Sequence, residues 1–335
     1  MYRGKTVLVT GGTGSFGRAF VRHALAHLPY RRIIIYSRDE HKQYEMQQEL
    51  AADAARLRFF IGDVRDRERL YRAFHGVDHV IHAAALKHVP LMEYNPIEAV
   101  NTNILGARNI IDAAIDRQVT KVVALSTDKA VNPVNLYGAT KLVSDKLFRS
   151  AQAYSAGGPA FTVVRYGNVV GSRGSVVPFF RKLRAQGART LPITDPGMTR
   201  FWITLEQAVE MVLTAIELGH GGEVFVGRIP SCRVTDLARA IHPDAELETV
   251  GIRPGEKLHE VLITEEDART TFAHDGLYVI YPAAYASVTP RLVAPNGRRV
   301  PPDFRYASDS NEQWLDVDDL RRLLTGIPEP QVVGV

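Results

Sequence analysis

Short apolar runs recur along the first half of the chain, and stretches with helical spacing lie between them. Thr6 to Thr10, Arg32 to Tyr36, Phe59 to Ile61, Val77 to His82, Lys121 to Leu125 and Thr162 to Arg165 read as strands. Lys121 to Leu125 in particular has the unbroken apolar character of a strand covered on both faces. Helical periodicity runs to about Ala26 after the first strand. A second helical stretch runs from Pro96 through Ile97, Val100, Ile104, Ile110 and Ile111 to about Arg117, with Asn101 and Asn103 on its first turns. This alternation predicts an α/β fold, a doubly wound parallel sheet with helices on both faces. Beyond Thr162 the pattern changes. Val176 to Leu183 reads as a helix, Thr204 to Leu218 as an amphipathic helix, and Val317 to Leu324 as a last one. Polar loops run over Pro192 to Arg200 and Gly251 to Lys257, and short strands with proline turns follow from about Thr271. The expected division is 1–165 for one domain, with some later segments returning to it, and 166–335 mainly for a smaller C-terminal α/β domain.

Gly11-Gly12-Thr13-Gly14-Ser15-Phe16-Gly17 lies between the first strand and the first helix. Gly11, Gly14 and Gly17 have G-x-x-G-x-x-G spacing. Glycine permits the tight turn and the close approach of backbone to a pyrophosphate, and the helix N-terminus supplies N–H donors and a favourable dipole. A plain glycine-rich turn has the same composition, but the strand–helix context points to a Rossmann dinucleotide site. Ser37, Arg38 and Asp39 end the second strand, where an NAD site offers an acidic residue to the ribose diol. Arg38, with Ser37 and Lys42, suits a 2′-phosphate instead. NADP is therefore preferred; the alternative is a solvated Arg38 with Asp39 on the ribose. Asp63, beside Val64, either accepts from the adenine amino group or caps a helix starting at Arg65. Ala83, Ala84 and Ala85 offer small side chains where a cofactor must lie close to backbone. Lys87 either meets a phosphate or sugar hydroxyl or is a surface lysine; His88 reads as structural.

Ser126-Thr127-Asp128-Lys129 follow the fifth strand. Tyr137 and Lys141 stand four apart at a helix start and so face the same way. A free tyrosine, with a pKa of about 10, is a poor base at neutral pH. A nearby ammonium favours the phenolate. A phenolate beside a nicotinamide can take a hydroxyl proton while hydride leaves the same carbon. Y-x-x-x-K alone is an ordinary helix-face pair, and its weight comes from the dinucleotide turn upstream. Asp128 and Lys129 also read as a structural ion pair at a strand end. Tyr166 to Gly174, which includes Asn168 and Arg173, is a glycine-spaced polar loop at the carboxyl end of a strand, where such folds bind ligand.

Composition narrows the partners. The 335 residues carry 41 Lys plus Arg against 37 Asp plus Glu, a net charge of +4. That excess suits anionic small molecules and is too small and dispersed for nucleic acid. Cys232 is the single cysteine, which rules out an internal disulfide or a cysteine metal site, and no metal is expected. No apolar run is long enough to cross a bilayer and no signal peptide is read before Lys5. A cytoplasmic protein with no membrane partner is expected.

With the dinucleotide turn and the later Y-x-x-x-K, the chain resembles the extended short-chain dehydrogenase/reductases. Several blocks are more specific: Thr10 to Gly17, Ile61 to Asp66, Leu125 to Pro133, Arg165 to Asn168, Met198 to Ile203 and Gly251 to His259. These resemble the inverting UDP-N-acetylglucosamine 4,6-dehydratases, hydro-lyases that open pseudaminic acid biosynthesis. The likeness covers nearly the whole chain, including Trp314 and the last helix. Departures are Gly227 and Cys232, in place of proline and methionine, and Gly197, where a larger polar residue is common. Asp128-Lys129 is the informative pair, because retaining dehydratases resemble it with Asp-Glu and simple epimerases have neither.

The resemblance implies a role for each residue. Tyr137 would be the base for C4 oxidation, with Lys141 lowering its pKa and holding the nicotinamide ribose. Thr127 or Ser126 would hydrogen-bond the sugar 4-oxygen. Asp128 would protonate the departing 6-hydroxyl, its pKa raised by burial. Lys129 would remove the C5 proton, its pKa lowered by burial and a cationic neighbour. Lys87, Asn168, Thr194, Met198, Arg253 and Glu256 would contact the UDP-sugar. Arg253 and Lys87 would face the diphosphate, and Glu256 a uridine ribose hydroxyl. Hydride leaves C4 and returns to C6, so NADP would stay bound and be recycled. Family members are usually homo-oligomers, often hexamers. The alternatives are a UDP-sugar C4-epimerase, a retaining 4,6-dehydratase, the inverting branch that feeds L-fucosamine synthesis (where methionine typically replaces Tyr137), and a non-catalytic NADP-binding scaffold.

Overall fold

The computed structural model describes residues 1–155, 157–172, 175–283 and 296–326; Arg173 and Gly174 lie outside them. The first six strands are β1 (Thr6–Thr10), β2 (Arg32–Ser37), β3 (Leu57–Ile61), β4 (His79–His82), β5 (Lys121–Thr127) and β6 (Ala160–Tyr166). They pair in parallel in the order β6-β5-β4-β1-β2-β3. β1 is buried along its whole length and β5 at every residue but Lys121. Helices cover both faces, which is why these strands read as unbroken apolar runs.

The chain runs outward from β1 to β3 and then returns to β4 on the other side of β1. That reversal opens a crevice at the carboxyl ends of β1 and β4, where such sheets bind ligand. Gly11 sits at its lip with φ +66°, and a β-carbon there would lie 2.9 Å from Ala84 N and 3.0 Å from the Ala83 carbonyl. The left-handed turn and this close approach both require glycine.

The later strands are β7 (Asn168–Val169), β8 (Thr190–Ile193), β9 (Thr199–Ile203), β10 (Val224–Gly227), β11 (Ser231–Arg233), β12 (Glu246–Thr249), β13 (Val261–Ile263), β14 (Thr271–His274), β15 (Leu277–Ile280), β16 (Arg298–Arg299) and β17 (Tyr306–Ala307). β10 joins β6 in parallel, and β15, β14 and β16 extend the same sheet in antiparallel fashion to ten strands. The rest form small sheets, β11-β9-β7, β12-β8 and β13-β17. A second apolar cluster, with Val177, Phe180, Leu191, Trp202, Leu237 and Leu320, gathers the helices Val176–Ala185, Val234–Ile241 and Val317–Thr325 around β8, β9 and β11. Among the described residues no helix is long and apolar enough to cross a membrane.

Two predicted helices differ from the observed ones. The stretch from Pro96 is not one helix: Pro96–Ala99 leads into a π-helical turn at Val100–Leu105, then Gly106–Asp116. The turn presents buried Asn103, which accepts from Leu86 N (2.9 Å) and donates to Leu86 O (3.0 Å) and Thr140 Oγ1 (3.0 Å). Local widening of this kind is common at functional sites. The helix expected at Arg65 starts at Arg67, because Asp66 caps it by accepting from Arg69 N at 2.9 Å.

The helix Leu136–Tyr154 carries Tyr137 and Lys141. Asn135 caps it, accepting from Gly138 N at 2.8 Å. The helix lies directly on the turn Asp128–Ala130: a β-carbon at Gly138 would fall 2.1 Å from the Lys129 carbonyl oxygen. Gly138→Ala should therefore separate the two segments at a cost of about 1–3 kcal/mol. Thermal unfolding should show a melting temperature several degrees lower, with loss of activity; an unchanged melting temperature would contradict this packing.

Candidate active site

The sequence of β5 alternates side chains between the two faces of the sheet. Ser126 turns inward and donates to Asp145 Oδ2 at 2.5 Å. Asp145 in turn lies 3.9 Å from Arg165, which reaches Asp267 at 3.1 Å. Ser126 is thus committed to a buried network, and of the two hydroxyls only Thr127 joins Asp128 and Tyr137. Thr127 Oγ1 donates to Asp128 Oδ1 at 2.9 Å and is hydrogen-bonded to Tyr137.

Asp128 has no solvent exposure. Its Oδ1 accepts from Lys129 Nζ at 3.0 Å, and its Oδ2 has no hydrogen-bond partner among the described residues. Burial raises its pKa, as expected, with Glu260 adding to the rise and Lys129 opposing it. The expectation for Lys129 is reversed. Burial works against its charge, but Asp128 and Glu260 outweigh burial and hold the ammonium's pKa above the ordinary lysine range. Lys129 Nζ also donates to Asn168 Oδ1 at 3.1 Å and lies 3.4 Å from Glu260 Oε1.

Burial pushes the Tyr137 phenol up to about 12, against the pull of Lys129 and the Thr127 hydrogen bond. Lys141 is not among the groups that lower it. Its Nζ donates to the Leu125 carbonyl at 2.7 Å, and burial lowers its own pKa against the pull of Asp145. The cation beside the phenol is Lys129.

The dinucleotide turn meets its expected surroundings. Ser15–His27 is a helix with Gly14 at its N-cap, and its N-terminal N–H groups are of the kind that suits a phosphate,. Phe16 is buried beneath it. Thr13 Oγ1 and Ser37 Oγ lie 2.9 Å apart beside the turn. The fit to a dinucleotide rests on that helix N-terminus and on the Gly11 approach to Ala83 and Ala84. Asp39 caps the helix Glu40–Glu49, accepting from Lys42 N at 3.0 Å and pairing with Lys42 Nζ. Arg38 is exposed, 3.6 Å from Asp63 Oδ2. Asp63 already accepts from Arg65 N, Nε and Nη2 at 3.0, 3.0 and 2.8 Å. Val64 is buried under this turn and Ala85 is exposed at the crevice.

The residues expected on the sugar side divide. Burial and the nearby Lys129 charge lower the pKa of Lys87. Thr194 follows β8 and Arg253 is exposed. Glu256 Oε2 is a buried oxygen without a partner among the described residues. The Gly251–Lys257 loop is tied to the catalytic segment: Asn135 Nδ2 donates to Gly255 O at 2.7 Å and Lys257 Nζ to Val131 O at 2.5 Å. Met198 differs from expectation. It is 3% exposed and packs in the second apolar core.

Glu260, Arg200 and Lys257 were not assigned roles from sequence. Glu260 Oε1 lies 3.9 Å from Arg200 Nε and Oε2 3.5 Å from Lys257 Nζ. The signal was Lys257-Leu258-His259-Glu260, charges abutting the buried strand β13, where a charge needs a partner.

The crevice, the Tyr–Lys helix and the acid–ammonium pair at one strand end define a Rossmann-type nucleotide-sugar enzyme. The chain belongs to the polysaccharide biosynthesis protein family, whose model matches residues 7–282. It is 51% identical to a Campylobacter jejuni (strain 81-176) protein described as UDP-N-acetylglucosamine 4,6-dehydratase (inverting), over 96% of this chain and 97% of that one. It is 45% identical to a Rickettsia conorii protein described as UDP-glucose 4-epimerase, over 80% of each. Among solved structures, Pen from Bacillus thuringiensis matches with a TM-score of 0.88 and 35% identity, covering 97% and 98%. DesIV, a dTDP-glucose 4,6-dehydratase from Streptomyces venezuelae with NAD and TYD bound, matches at 0.68 and 26%, covering 76% and 86%.

Proposed function

We propose that the protein is an inverting UDP-N-acetylglucosamine 4,6-dehydratase. One observation carries the reading: a buried carboxyl and an ammonium, 3.0 Å apart, stand within the Tyr137 constellation. An epimerase needs only the oxidation machinery. A dehydratase also needs an acid and a base.

Thr127 and Tyr137 hold the 4-hydroxyl, and Tyr137 takes its proton as the phenolate, having first released its own proton to solvent, a form that the Lys129 charge and the Thr127 hydrogen bond favour. A bound nicotinamide supplies the hydride acceptor at C4 and the donor at C6. The 4-ketone makes the C5 proton acidic, and Lys129 removes it. Asp128 protonates the departing 6-hydroxyl with the proton that its Oδ1 takes from Lys129. Lys129 must first lose its own proton. Its hydrogen bond to Asp128 Oδ1 provides the path, since one transfer along it makes both the neutral amine and the protonated acid. Reprotonation of C5 by a solvent proton on the face opposite Lys129 gives the L-configured 4-keto-6-deoxy sugar, the first intermediate of a pseudaminic acid-type surface sugar.

Residues 1–165, with the later strands of the large sheet, serve as the cofactor domain, and 166–335 mainly as the sugar domain. Lys87, Asn168, Thr194, Arg253 and Glu256 face the UDP-sugar. NADP is favoured over NAD because Asp39 is occupied as a helix cap while Arg38 stays exposed. A cytoplasmic homo-oligomer, of the hexameric kind, completes the reading.

With UDP-N-acetylglucosamine, mass spectrometry should show a product lighter by one water; an unchanged mass would favour the epimerase. Lys129→Met should slow dehydration about 100-fold or more. Reduction of bound cofactor, visible in nicotinamide absorbance, should slow less than dehydration, since Lys129 also favours the Tyr137 phenolate. Arg38→Ala should weaken NADP about tenfold, the size of one charged hydrogen bond, and leave NAD unchanged in a fluorescence titration. Equal effects on both cofactors would count against the 2′-phosphate role.

A further inference from the structure

Glu260 is 2% exposed and has no part in the steps above. It is held from two sides. Its N–H donates to Ser308 Oγ at 2.9 Å, and Ser308 N donates back to Glu260 O at 2.8 Å. Ser308 Oγ is also hydrogen-bonded to Thr199 Oγ1 at 2.7 Å, next to His259 Nδ1 at 2.9 Å from the same hydroxyl. The carboxylate thus arrives at Lys129 on a fixed backbone, with Oε1 3.4 Å from Nζ.

The elimination needs one proton shared by Asp128 and Lys129. With two, there is no base; with none, there is no acid. The charged groups around the pair are Glu260, Arg200 and Lys257, together with Lys87. Tyr137 faces it from the catalytic helix. Without Glu260, Lys129, Arg200 and Lys257 would lose the carboxylate that faces all three, and their positive charge would bear on Asp128 and Lys129. Both partners would then bind protons less readily.

We propose that Glu260 is a positioning residue of the dehydration step, which anchors the Lys129 ammonium beside Asp128 and sets the pH range in which the pair keeps its one proton. This rests on the dehydratase reading. The geometry supports it directly, because Lys129 Nζ touches Asp128, Asn168 and Glu260 together. Glu260 in turn is held below the ordinary carboxylate range: burial opposes its charge, but Lys129, Arg200 and Lys257 prevail.

The test uses the cofactor-bound protein and the variants Glu260→Gln and Glu260→Asp. The first readout is the pH profile of solvent deuterium exchange at C5 of UDP-N-acetylglucosamine. Glu260→Gln should move the profile to lower pH by about one unit or more. Glu260→Asp, its charge withdrawn by one methylene, should move it less and in the same direction. The second readout needs no sugar: NMR of 13C-lysine-labelled protein, assigned with Lys129→Arg, should show Lys129 titrating at lower pH in Glu260→Gln than in wild type. A uniform loss of rate with an unmoved profile and an unmoved Lys129 titration would overturn the proposal and leave Glu260 a structural ion pair. Should Glu260→Gln fail to fold, Glu260→Asp decides by the same two criteria. Absence of C5 exchange in the wild type would sink the dehydratase reading instead, while the lysine titration would still decide whether Glu260 governs Lys129.

Discussion

The Lys129 ammonium meets Asp128 Oδ1 at 3.0 Å and Glu260 Oε1 at 3.4 Å, joining the end of β5 to a C-terminal segment far away in sequence. Neither carboxylate could be buried alone, because an isolated charge in the interior is costly and breaking a buried pair leaves the other charge stranded. The cation makes both burials tolerable. It also brings Asn168, at the start of β7, into the same cluster. The end of β5, the start of β7 and the segment before β13 thereby converge on one side chain, which is also the group proposed to take the C5 proton.

The parallel sheet puts this cluster where it is useful. β1, β4, β5 and β6 all end on the same edge, so the Gly11 turn, Ala83–Ala84, Thr127–Lys129 and Asn168 line one crevice. The catalytic helix is pressed on that edge through Gly138, capped by Asn135, and anchored at its first N–H by Glu93, which accepts from Leu136 N at 2.7 Å. Asn103, in its widened turn, ties the loop at Leu86 to Thr140 of the same helix. Each contact fixes Tyr137 relative to Lys129, and such preorganisation is what a site needs for directed proton transfer.

Local patterns made much of this legible. β1 announces itself by five buried residues in a row, and the glycine spacing after it marks the phosphate turn before any fold is known. Tyr137 and Lys141 declare their shared face by a spacing of four. Partners supplied by distant segments were hidden. Asp128, the neighbour in sequence, does most to hold Lys129's charge, and Glu260 adds to it from a segment that adjacency along the chain does not reveal. The same holds for Ser126, whose hydroxyl belongs to Asp145. Met198 lies in a polar loop by sequence but fills a core that only tertiary packing creates. The π-helical turn at Val100–Leu105 keeps a helical apolar pattern, so periodicity alone reads straight through it.

The most direct test of the central claim is proton NMR of the protein with UDP-N-acetylglucosamine in deuterated buffer. A new C6 methyl signal, deuterium at C5 and the couplings of an inverted C5 are the predicted result. A product that keeps its 6-hydroxyl, or a methyl product with C5 retained, would contradict the role given to Lys129 beside Asp128.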